Sequence, residues 1–315
     1  MEKLEIKLKT LTPIWTGGVD RDCDRLHETG IIGSLRWWYE ALIRGLGGKA
    51  CDPTNTKCED KDHCAACELF GCTGWSRKFR LEILGKFVLE ERDESKYTCQ
   101  QNDHRHRGWF INNGLKSDKF ILKITPIKDI SKEEENYLKT ALKIMIDYAG
   151  IGAKNQLGYG VIHYISNTEK SKLETDELAT IKESKQNNLP VLNEIFFGQC
   201  KCETDKIEEI IDLKCKLRNE FRKSENFENN ISEDNLEKLR HFILGYVSRK
   251  EKIASKIFFS RPLEDNNHEK YMRVWGWIPS QEYCGQSRKD ILDTIVKAIN
   301  LHNLIELSIN SLLKN

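Results

Sequence analysis

The arrangement of apolar and polar positions in the first half of the chain predicts alternating strands and helices. Segments with apolar side chains at every second position are typical of half-buried strands; they are residues 3–9, 77–90, 119–127 and 160–165. Segments in which apolar positions recur every three or four residues are typical of amphipathic helices; they are residues 33–48 and 131–150. The resulting order, β-α-β-β-α-β, is that of a ferredoxin-like domain over residues 1–165.

The helix predicted over residues 33–48, GSLRWWYEALIRGLGG, contains two adjacent tryptophans. Ser34 is the expected N-cap, because its hydroxyl can accept a hydrogen bond from a free amide of the first turn. The glycines at positions 45, 47 and 48 are expected to end the helix. The apolar stripe consists of Leu35, Trp38, Tyr39, Leu42 and Ile43. The opposite side carries Trp37 together with Arg36, Glu40 and Arg44.

Two roles for Trp37 are consistent with this helical wheel. The side chain can pack beneath a loop or a neighbouring subunit. Alternatively, it is a stacking platform flanked by the guanidinium groups of Arg36 and Arg44, which is a common way to hold single-stranded nucleic acid. Trp38, on the apolar stripe, is expected to be a core residue.

The second half of the chain has a helix-then-strands pattern that suits a divergent second copy of the same fold. Residues 235–249 predict an amphipathic helix, residues 252–262 and 271–279 predict strands, and residues 290–313 predict a helical tail. Residues 166–190 are rich in Lys, Glu, Ser and Asn, which is typical of a connector. We therefore expect an α+β protein with two tandem ferredoxin-like domains, residues 1–165 and 191–315.

The composition limits the class of protein and indicates little about its function. The chain has 315 residues, enough for two domains, and its formal net charge of +1 gives no overall basic excess. The N-terminal segment has no apolar signal-peptide core, and no run approaches the ~18 apolar residues of a membrane span. These features predict a cytoplasmic protein without membrane association. In that compartment thiols stay reduced, so clusters among the eleven cysteines favour a metal site over disulfides.

An insertion at residues 49–72 carries the cysteine cluster. Cys64 and Cys67 form a Cys-x-x-Cys pair, which lets two thiolates converge on one ion, and Cys51 and Cys58 are the best partners for them. His63 and Cys72 are further possible ligands, although the apolar context of Cys72 favours a buried thiol. Four protein ligands leave no open coordination position, so we predict a structural zinc ion.

A glycine-rich turn, GIGAKNQLGYGVI, lies between the second helix and the last strand of the first domain. Its spacing departs from the Rossmann and Walker patterns, which argues against a nucleotide cofactor. The turn can pack tightly against the first strand, or its amides can approach an RNA backbone. The candidate RNA contacts here are Lys154, Asn155, Gln156 and Gly158.

Three further segments carry candidate chemistry. Two have the basic and aromatic mixture of RNA-contacting surfaces: Arg77, Lys78 and Arg80 beside Trp75, and Arg105 and Arg107 beside Trp109, His104 and His106. The loop DRDCDRLHE contains Asp20, Asp22, Asp24, His27 and Glu28. It offers groups for acid–base or metal-assisted catalysis, although an Asp-rich loop is usually a solvated turn.

Several phrases of the sequence together resemble one protein family. They are LTPIWTGG, ETGIIGSLRWWYEALIRGLGG, CELFGCTGWSRKFRL, the glycine-rich turn, ASKIFFSRP and MRVWGWIP. These phrases resemble the first-subunit family of the Cmr complex, the type III-B CRISPR RNA-guided effector, within the RAMP superfamily. The resemblance covers most of residues 5–165 and 236–280.

The resemblance implies a non-catalytic RNA-binding subunit in antiviral defence, without a small-molecule substrate. It implies a position at the end of the backbone filament, near the 3′ end of the CRISPR RNA, with CRISPR RNA, target RNA and other Cmr subunits as partners. It also implies RNA contact at Gly33, Ser34, Arg36 and the 150–160 turn, and it strengthens the zinc prediction. Two alternatives stay open: a metal-dependent endoribonuclease using Asp22, Asp24 or His27, and an architectural cap without RNA contact.

Overall fold

The structure is a computed structural model that describes most of the chain. The described residues are 1–20, 22–52, 58, 63–91, 96–99, 108–111, 113–175, 178, 181, 189–227 and 231–306. Arg105, Arg107, His104 and His106, singled out above as a candidate basic segment, lie outside these ranges. No helix in the described ranges is long and apolar enough to cross a membrane.

The described residues of the first half contain one four-stranded sheet, two small two-stranded sheets and two long helices. Its elements are β1 (Leu4–Thr10), α1 (Glu28–Gly45), α2 (Ala65–Phe70), β2 (Phe79–Gly85), β3 (Val88–Leu89), β4 (Lys96–Tyr97), β5 (Trp109–Phe110), β6 (Leu115–Lys116), β7 (Phe120–Pro126), α3 (Lys132–Tyr148), β8 (Ile162–Tyr164) and α4 (Asn167–Ser171). The sheet order is β2-β7-β1-β8 with all neighbours antiparallel. α3 begins where its sequence indicates, because Ser131 and Glu134 form a reciprocal capping box.

The second half repeats this sheet order. Its elements are β9 (Ile195–Lys201), α5 (Glu208–Glu220), α6 (Glu233–Leu244), β10 (Tyr246–Val247), β11 (Lys252–Ile253), β12 (Ile257–Phe259), β13 (Leu263–Glu264), β14 (Lys270–Trp277), α7 (Arg288–Ile299) and β15 (His302–Glu306). The sheet order is β12-β14-β9-β15, again antiparallel. Numbered in order of appearance, the four main strands of each sheet lie as 2-3-1-4. The prediction of a mixed α+β chain is confirmed.

Two sequence predictions about helix ends are wrong. α1 begins at Glu28, not after Ser34, and its N-cap residue His27 makes no side-chain cap hydrogen bond. The predicted helical tail stops at Ile299, because Asn300 adopts a left-handed conformation that ends the helix. The chain then continues as β15, which pairs with β9. Pairing along a sheet edge outweighs the helical pattern of these residues.

One hydrophobic core joins the two halves. Leu35, Trp38, Tyr39, Leu42 and Ile43 are all buried in it, as the apolar stripe predicts. The same core includes side chains of the second half, namely Leu192, Ile195, Phe197, Leu263 and Trp275. The Trp38 ring stacks on the Phe197 ring with centroids 5.8 Å apart. The two sheets are therefore held together by apolar packing as well as by polar contacts.

A disulfide also crosses between the halves. Cys99, which follows β4, is bonded to Cys215 of α5. This pair departs from the expectation that the thiols stay reduced. The bond fastens the small β4–β5 hairpin to α5.

We expect Trp38→Ala to lower the free energy of unfolding by about 3–5 kcal/mol, because a large buried aromatic side chain leaves a cavity when truncated. Urea-induced unfolding followed by far-UV circular dichroism measures this loss. Ile127→Ala is the matched control, since Ile127 is 60% exposed, and it should change stability by less than about 0.5 kcal/mol. Equal stability of the two variants would show that Trp38 does not hold the halves together.

Candidate nucleic-acid interface

A cleft of about 370 Å³ lies where the two halves meet. The loop after β1 and the first turns of α1 contribute Thr16, Gly17, Gly30, Gly33, Ser34, Trp37 and Trp38. The glycine-rich turn contributes Gly150, Gly152, Ala153 and Asn155, and the second half contributes Phe258 and Trp275. The volume falls at the lower end of the ~300–1,000 Å³ range of small-ligand sites. The cleft therefore suits a group of roughly nucleoside size.

Ser34 ties the glycine-rich turn to α1. Its hydroxyl accepts a hydrogen bond from the Gly152 amide at 2.9 Å and lies 3.1 Å from the Gly30 carbonyl, to which it donates. The amide of Ala153 donates to the Trp15 carbonyl at 2.8 Å. A Cβ at Gly152 would lie 2.6 Å from that carbonyl oxygen, and its φ is +77°, so only glycine fits here. Gly33 is different, because a Cβ there would meet nothing within 4 Å.

Aromatic rings from both halves form the walls of the cleft. Trp37 is half-buried and meets Trp38 edge-to-face, with centroids 4.8 Å apart and planes at 83°. On the other wall, Phe258 and Trp275 are stacked at 5.8 Å and 21°. The structure thus places Trp37 partly against the core and partly on the cleft, and its stacking on nucleic acid stays a prediction.

The cleft lining is uncharged. Among the described residues that line it, none is Asp, Glu, Lys or Arg. The polar groups of the lining residues are backbone amides, two hydroxyls, three indole N–H groups and the Asn155 side chain. The Asn155 amide nitrogen donates to the carbonyls of Ile151 and Tyr159. Near this turn, the Lys154 Nζ lies 3.8 Å from the centre of the Trp15 ring. An uncharged, aromatic lining favours a planar neutral group over a phosphate.

Arg36 does not flank Trp37 as a free cation. Its guanidinium donates to the Glu40 carboxylate at 2.7 Å, the Gly71 carbonyl at 2.8 Å and the Cys67 Sγ at 3.2 Å. Burial lowers the pKa of Arg36, but the hydrogen bond to Glu40 and its charge outweigh that effect and raise it overall. Arg36 therefore links α1 to the cysteine cluster.

Arg44, predicted as an RNA contact, is buried within the fold. Arg44 is 7% exposed, and its guanidinium donates to the carbonyls of Ala50, Cys51 and Pro190. The buried carboxylate of Glu40 lies 3.5 Å away. Desolvation on burial lowers the pKa of Arg44. Arg44 therefore links α1 to the start of the cysteine insertion and to the chain near Pro190.

Other predicted RNA contacts are also occupied within the fold. Arg77 donates to the Phe79 carbonyl, and Lys78 lies between the carboxylates of Glu68 and Glu134 at 2.8 and 2.9 Å. Gly158 is buried, and a Cβ there would lie 2.4 Å from Ile210. The backbone carbonyl of Gln156 accepts from Lys214 of α5 at 3.1 Å.

Sequence reasoning missed the contribution of the second half to the cleft. Phe258 and Trp275 belong to the phrases IFFSRP and RVWGWIP, which carried the family resemblance without an assigned role. Thr16, Gly17 and Gly30 belong to LTPIWTGG and ETGIIGS, phrases that likewise carried the resemblance. Contact among them depends on how the two sheets pack, which no local pattern encodes.

Four cysteine sulfurs converge in the insertion. The Sγ atoms of Cys51, Cys58, Cys64 and Cys67 all lie within 4.8 Å of one another. The Cys51 Sγ is 3.4 Å from that of Cys67 and 3.6 Å from that of Cys64. A tetrahedral ion with metal–sulfur bonds of ~2.3 Å requires sulfurs ~3.8 Å apart, so the set fits a four-coordinate metal. The backbone amides of Cys51 and Cys67 point at the Cys64 Sγ, each at 3.4 Å.

His63 and Cys72 lie outside this set of four. The His63 ring packs on Trp75 with centroids 4.8 Å apart, and its Nδ1 is 3.7 Å from the Glu68 carboxylate. Cys72 pairs through its backbone with Trp75. The structure therefore selects Cys51, Cys58, Cys64 and Cys67 from the six possible ligands.

The acidic loop lies next to the cleft without forming a compact acidic site. The Asp24 carboxylate is 2.8 Å from the His27 Nε2, and this hydrogen bond lowers the pKa of Asp24. Asp20 and Asp22 are exposed. In the part of the chain that the structure describes, the cysteine cluster is the group that brings ligand atoms together for a metal ion.

Comparison with known proteins identifies the family. The family model of the RAMP superfamily matches residues 7–163, about half of the chain. A search of curated proteins found none that matches the chain. Among solved structures, Cmr1 from Pyrococcus furiosus in its apo form is similar with a TM-score of 0.48 and 10% identity, over 97% of this chain and 98% of that one. The matched residues include the second part of β1, all of α1, the cysteine insertion and the glycine-rich turn, and the chain belongs to the RAMP superfamily.

Proposed function

We propose that this chain is a non-catalytic RNA-binding subunit of a Cmr-type, RNA-guided antiviral complex. The observation that carries the proposal is the uncharged cleft between the two halves, walled by Trp37 and Trp38 on one side and Phe258 and Trp275 on the other. Single-stranded RNA is commonly recognised by stacking its unpaired bases on such rings.

The lining of the cleft indicates which part of RNA enters it. A phosphate brings a negative charge that a site without cations cannot neutralise. A base or nucleoside brings a planar face for Trp37 and polar edges for Ser34, Asn155 and the backbone amides of the glycine-rich turn. We therefore infer that the cleft takes one unpaired base and that its phosphates stay outside.

Membership of the RAMP superfamily and the phrases shared with the Cmr first-subunit family support the wider role. The identical 2-3-1-4 order of the two sheets supports two tandem ferredoxin-like domains. On this basis the chain caps the backbone filament near the 3′ end of the CRISPR RNA. Its partners are CRISPR RNA, target RNA and the neighbouring Cmr subunits, in the cytoplasm.

Cleavage is proposed to belong to other subunits. The carboxylate of Asp24 is paired with His27, and Asp20 and Asp22 point into solvent without a shared ligand position. Incubation of the full chain with labelled target RNA and Mg²⁺ tests this. Cleavage that is lost on Asp22→Ala or Asp24→Ala would replace the proposal with a metal-dependent endoribonuclease.

We propose that the cysteine cluster holds a structural zinc ion. The donor set is four sulfurs, three of them from buried residues, and soft thiolates in a tetrahedral set favour zinc. With all positions filled by protein, the ion would order the insertion and leave catalysis untouched. The Arg36 hydrogen bond to Cys67 would then couple the ion to the helix that carries Trp37.

We expect one zinc ion per chain, because the four thiolates complete a single tetrahedral site. Inductively coupled plasma mass spectrometry of the purified protein measures the stoichiometry. Cys64→Ser should remove the metal and lower the melting temperature. Cys284→Ser, which changes a half-buried thiol outside the cluster, should do neither. Metal-free wild-type protein with unchanged stability would refute the zinc assignment.

Trp37→Ala should weaken binding of single-stranded RNA by about 1–3 kcal/mol, the usual value of one stacked base, without unfolding the chain. Fluorescence anisotropy with a labelled oligonucleotide gives the affinity, and circular dichroism checks the fold. Trp75→Ala is the control, since Trp75 is also half-buried but lies outside the cleft. Unchanged affinity in a folded Trp37→Ala variant would place Trp37 in packing alone.

Ultraviolet crosslinking of the assembled complex, followed by mass spectrometry of the attached peptides, tests the position of RNA. We expect adducts within residues 33–44 or 150–160 and on the strands that carry Phe258 and Trp275. Adducts on other subunits only would make this chain an architectural cap without RNA contact.

A further inference from the structure

The Cys99–Cys215 disulfide joins two elements that lie far apart in the sequence. Cys99 follows β4 in the first half, and Cys215 lies on α5 in the second half, 116 residues further along the chain. Their Cα atoms are 5.7 Å apart, which is the usual separation for bonded cysteines. Cys215 is 8% exposed, whereas Cys99 is half-buried. The Cys99 sulfur is therefore the one that a reagent in solution reaches first.

The β4–β5 hairpin that precedes and follows this bond has few other attachments. In the part of the chain that the structure describes, its two-residue strands pair with each other and with neither main sheet. A single two-stranded hairpin is marginally stable at best in water. Its Trp109 ring has its centre 5.8 Å from the Lys214 Nζ and 5.9 Å from the Arg218 Cζ, close to the ~6 Å limit of a cation–π contact. The disulfide is therefore the strongest link between the hairpin and α5.

The hairpin and α5 also meet the glycine-rich turn. A small apolar cluster gathers side chains of the hairpin, of the turn and of the residue before α5, among them Trp109, Leu157, Tyr159 and Ile207. The same turn lines the cleft through Gly152 and Asn155. Fastening the hairpin to α5 therefore restrains the turn that lines the cleft.

The other cysteines indicate that this bond is conditional. All nine of them are free thiols, and four converge in the metal cluster, where thiols bind an ion only in the reduced state. Surroundings that keep those thiols reduced also reduce a disulfide that solution thiols can reach. A disulfide in a reducing compartment is usually transient and redox-sensing.

We propose that Cys99 and Cys215 form a reversible oxidation site, which fastens the β4–β5 hairpin to α5 as a disulfide and releases it as two thiols. The oxidant is a low-molecular-weight disulfide such as glutathione disulfide. The Cys99 thiolate attacks one of its sulfurs, forms a mixed disulfide and displaces one glutathione thiolate. The Cys215 thiolate then attacks the Cys99 Sγ and displaces the second. The two cysteine protons end on the two released glutathione molecules, so the cysteines are oxidised and glutathione disulfide is reduced.

Peptide mapping of the full chain tests whether the site is reversible. The folded protein is incubated with glutathione disulfide, and part of it is then returned to tris(2-carboxyethyl)phosphine. Free thiols are blocked with iodoacetamide before non-reducing digestion and mass spectrometry. We expect peptides linked through Cys99 and Cys215 after oxidation and their loss after reduction. Absence of the linked peptides, or their persistence in the folded, reductant-treated protein, would overturn the proposal.

The oxidised protein should melt about 5–10 °C above the reduced protein, because a bond that closes a long loop restricts the unfolded chain. Hydrogen–deuterium exchange should be faster in the reduced protein for peptides that cover residues 96–99, 108–111 and 150–160, since the hairpin and the turn lose their restraint. Exchange in α3 should stay the same. A linked protein with unchanged melting and exchange would show that the bond fastens nothing.

Cys99→Ser and Cys202→Ser form a matched pair of variants, because both replace a half-buried cysteine. We expect Cys99→Ser to behave like the reduced wild type with or without oxidant, and Cys202→Ser to keep the full redox shift. A redox shift that survives in Cys99→Ser, or that disappears in Cys202→Ser, would assign it to other cysteines and overturn the site. None of these measurements uses RNA, so their failure leaves the RNA-binding proposal standing, and failure of RNA binding leaves this one standing.

Discussion

The packing of α1 against the second sheet is the contact on which the candidate site depends. Trp38 stacks on Phe197 of β9, and the same core takes in Trp275 of β14. The half-buried Arg273 donates across the boundary to the Ile146 carbonyl at 3.0 Å. If these contacts were absent, Trp37 and Trp275 would belong to separate surfaces and the cleft between them would not exist.

Polar groups on α1 serve the fold more than the ligand. Arg36, Glu40 and Arg44 lie along one side of the helix and form a chain of ion pairs and carbonyl contacts. A buried charge is tolerated only when it is paired and hydrogen-bonded, and this chain meets that condition. It also joins α1 to the cysteine cluster through Cys67. Any metal in the cluster would therefore stabilise the same helix that presents Trp37.

The proposed RNA contact is defined by the chemistry of the cleft lining. The cleft offers aromatic faces and backbone amides, and none of the described residues that line it carries a formal charge. Because pairing between guide and target strands can read sequence, a protein that holds one unpaired base needs no sequence specificity of its own.

The sequence by itself determined the local features of this protein. Periodicity predicted β1, β7 and α3, and Ser131 predicted the start of α3. The Cys-x-x-Cys pair, with two further cysteines of the same insertion, predicted the four cysteines that converge. Only the tertiary structure decided which cations are available. The sequence suggested that Arg44 and Lys78 are surface charges. In the structure, Arg44 donates to the Pro190 carbonyl and Lys78 is ion-paired with the Glu134 carboxylate, both distant in sequence. The tertiary structure also decided that the residues after Asn300 form a strand. It likewise brought Phe258 and Trp275 to the same cleft as the glycine-rich turn. Hydrophobic period and capping depend on near neighbours, whereas charge pairing, edge-strand pairing and cleft formation depend on residues that only the fold brings together.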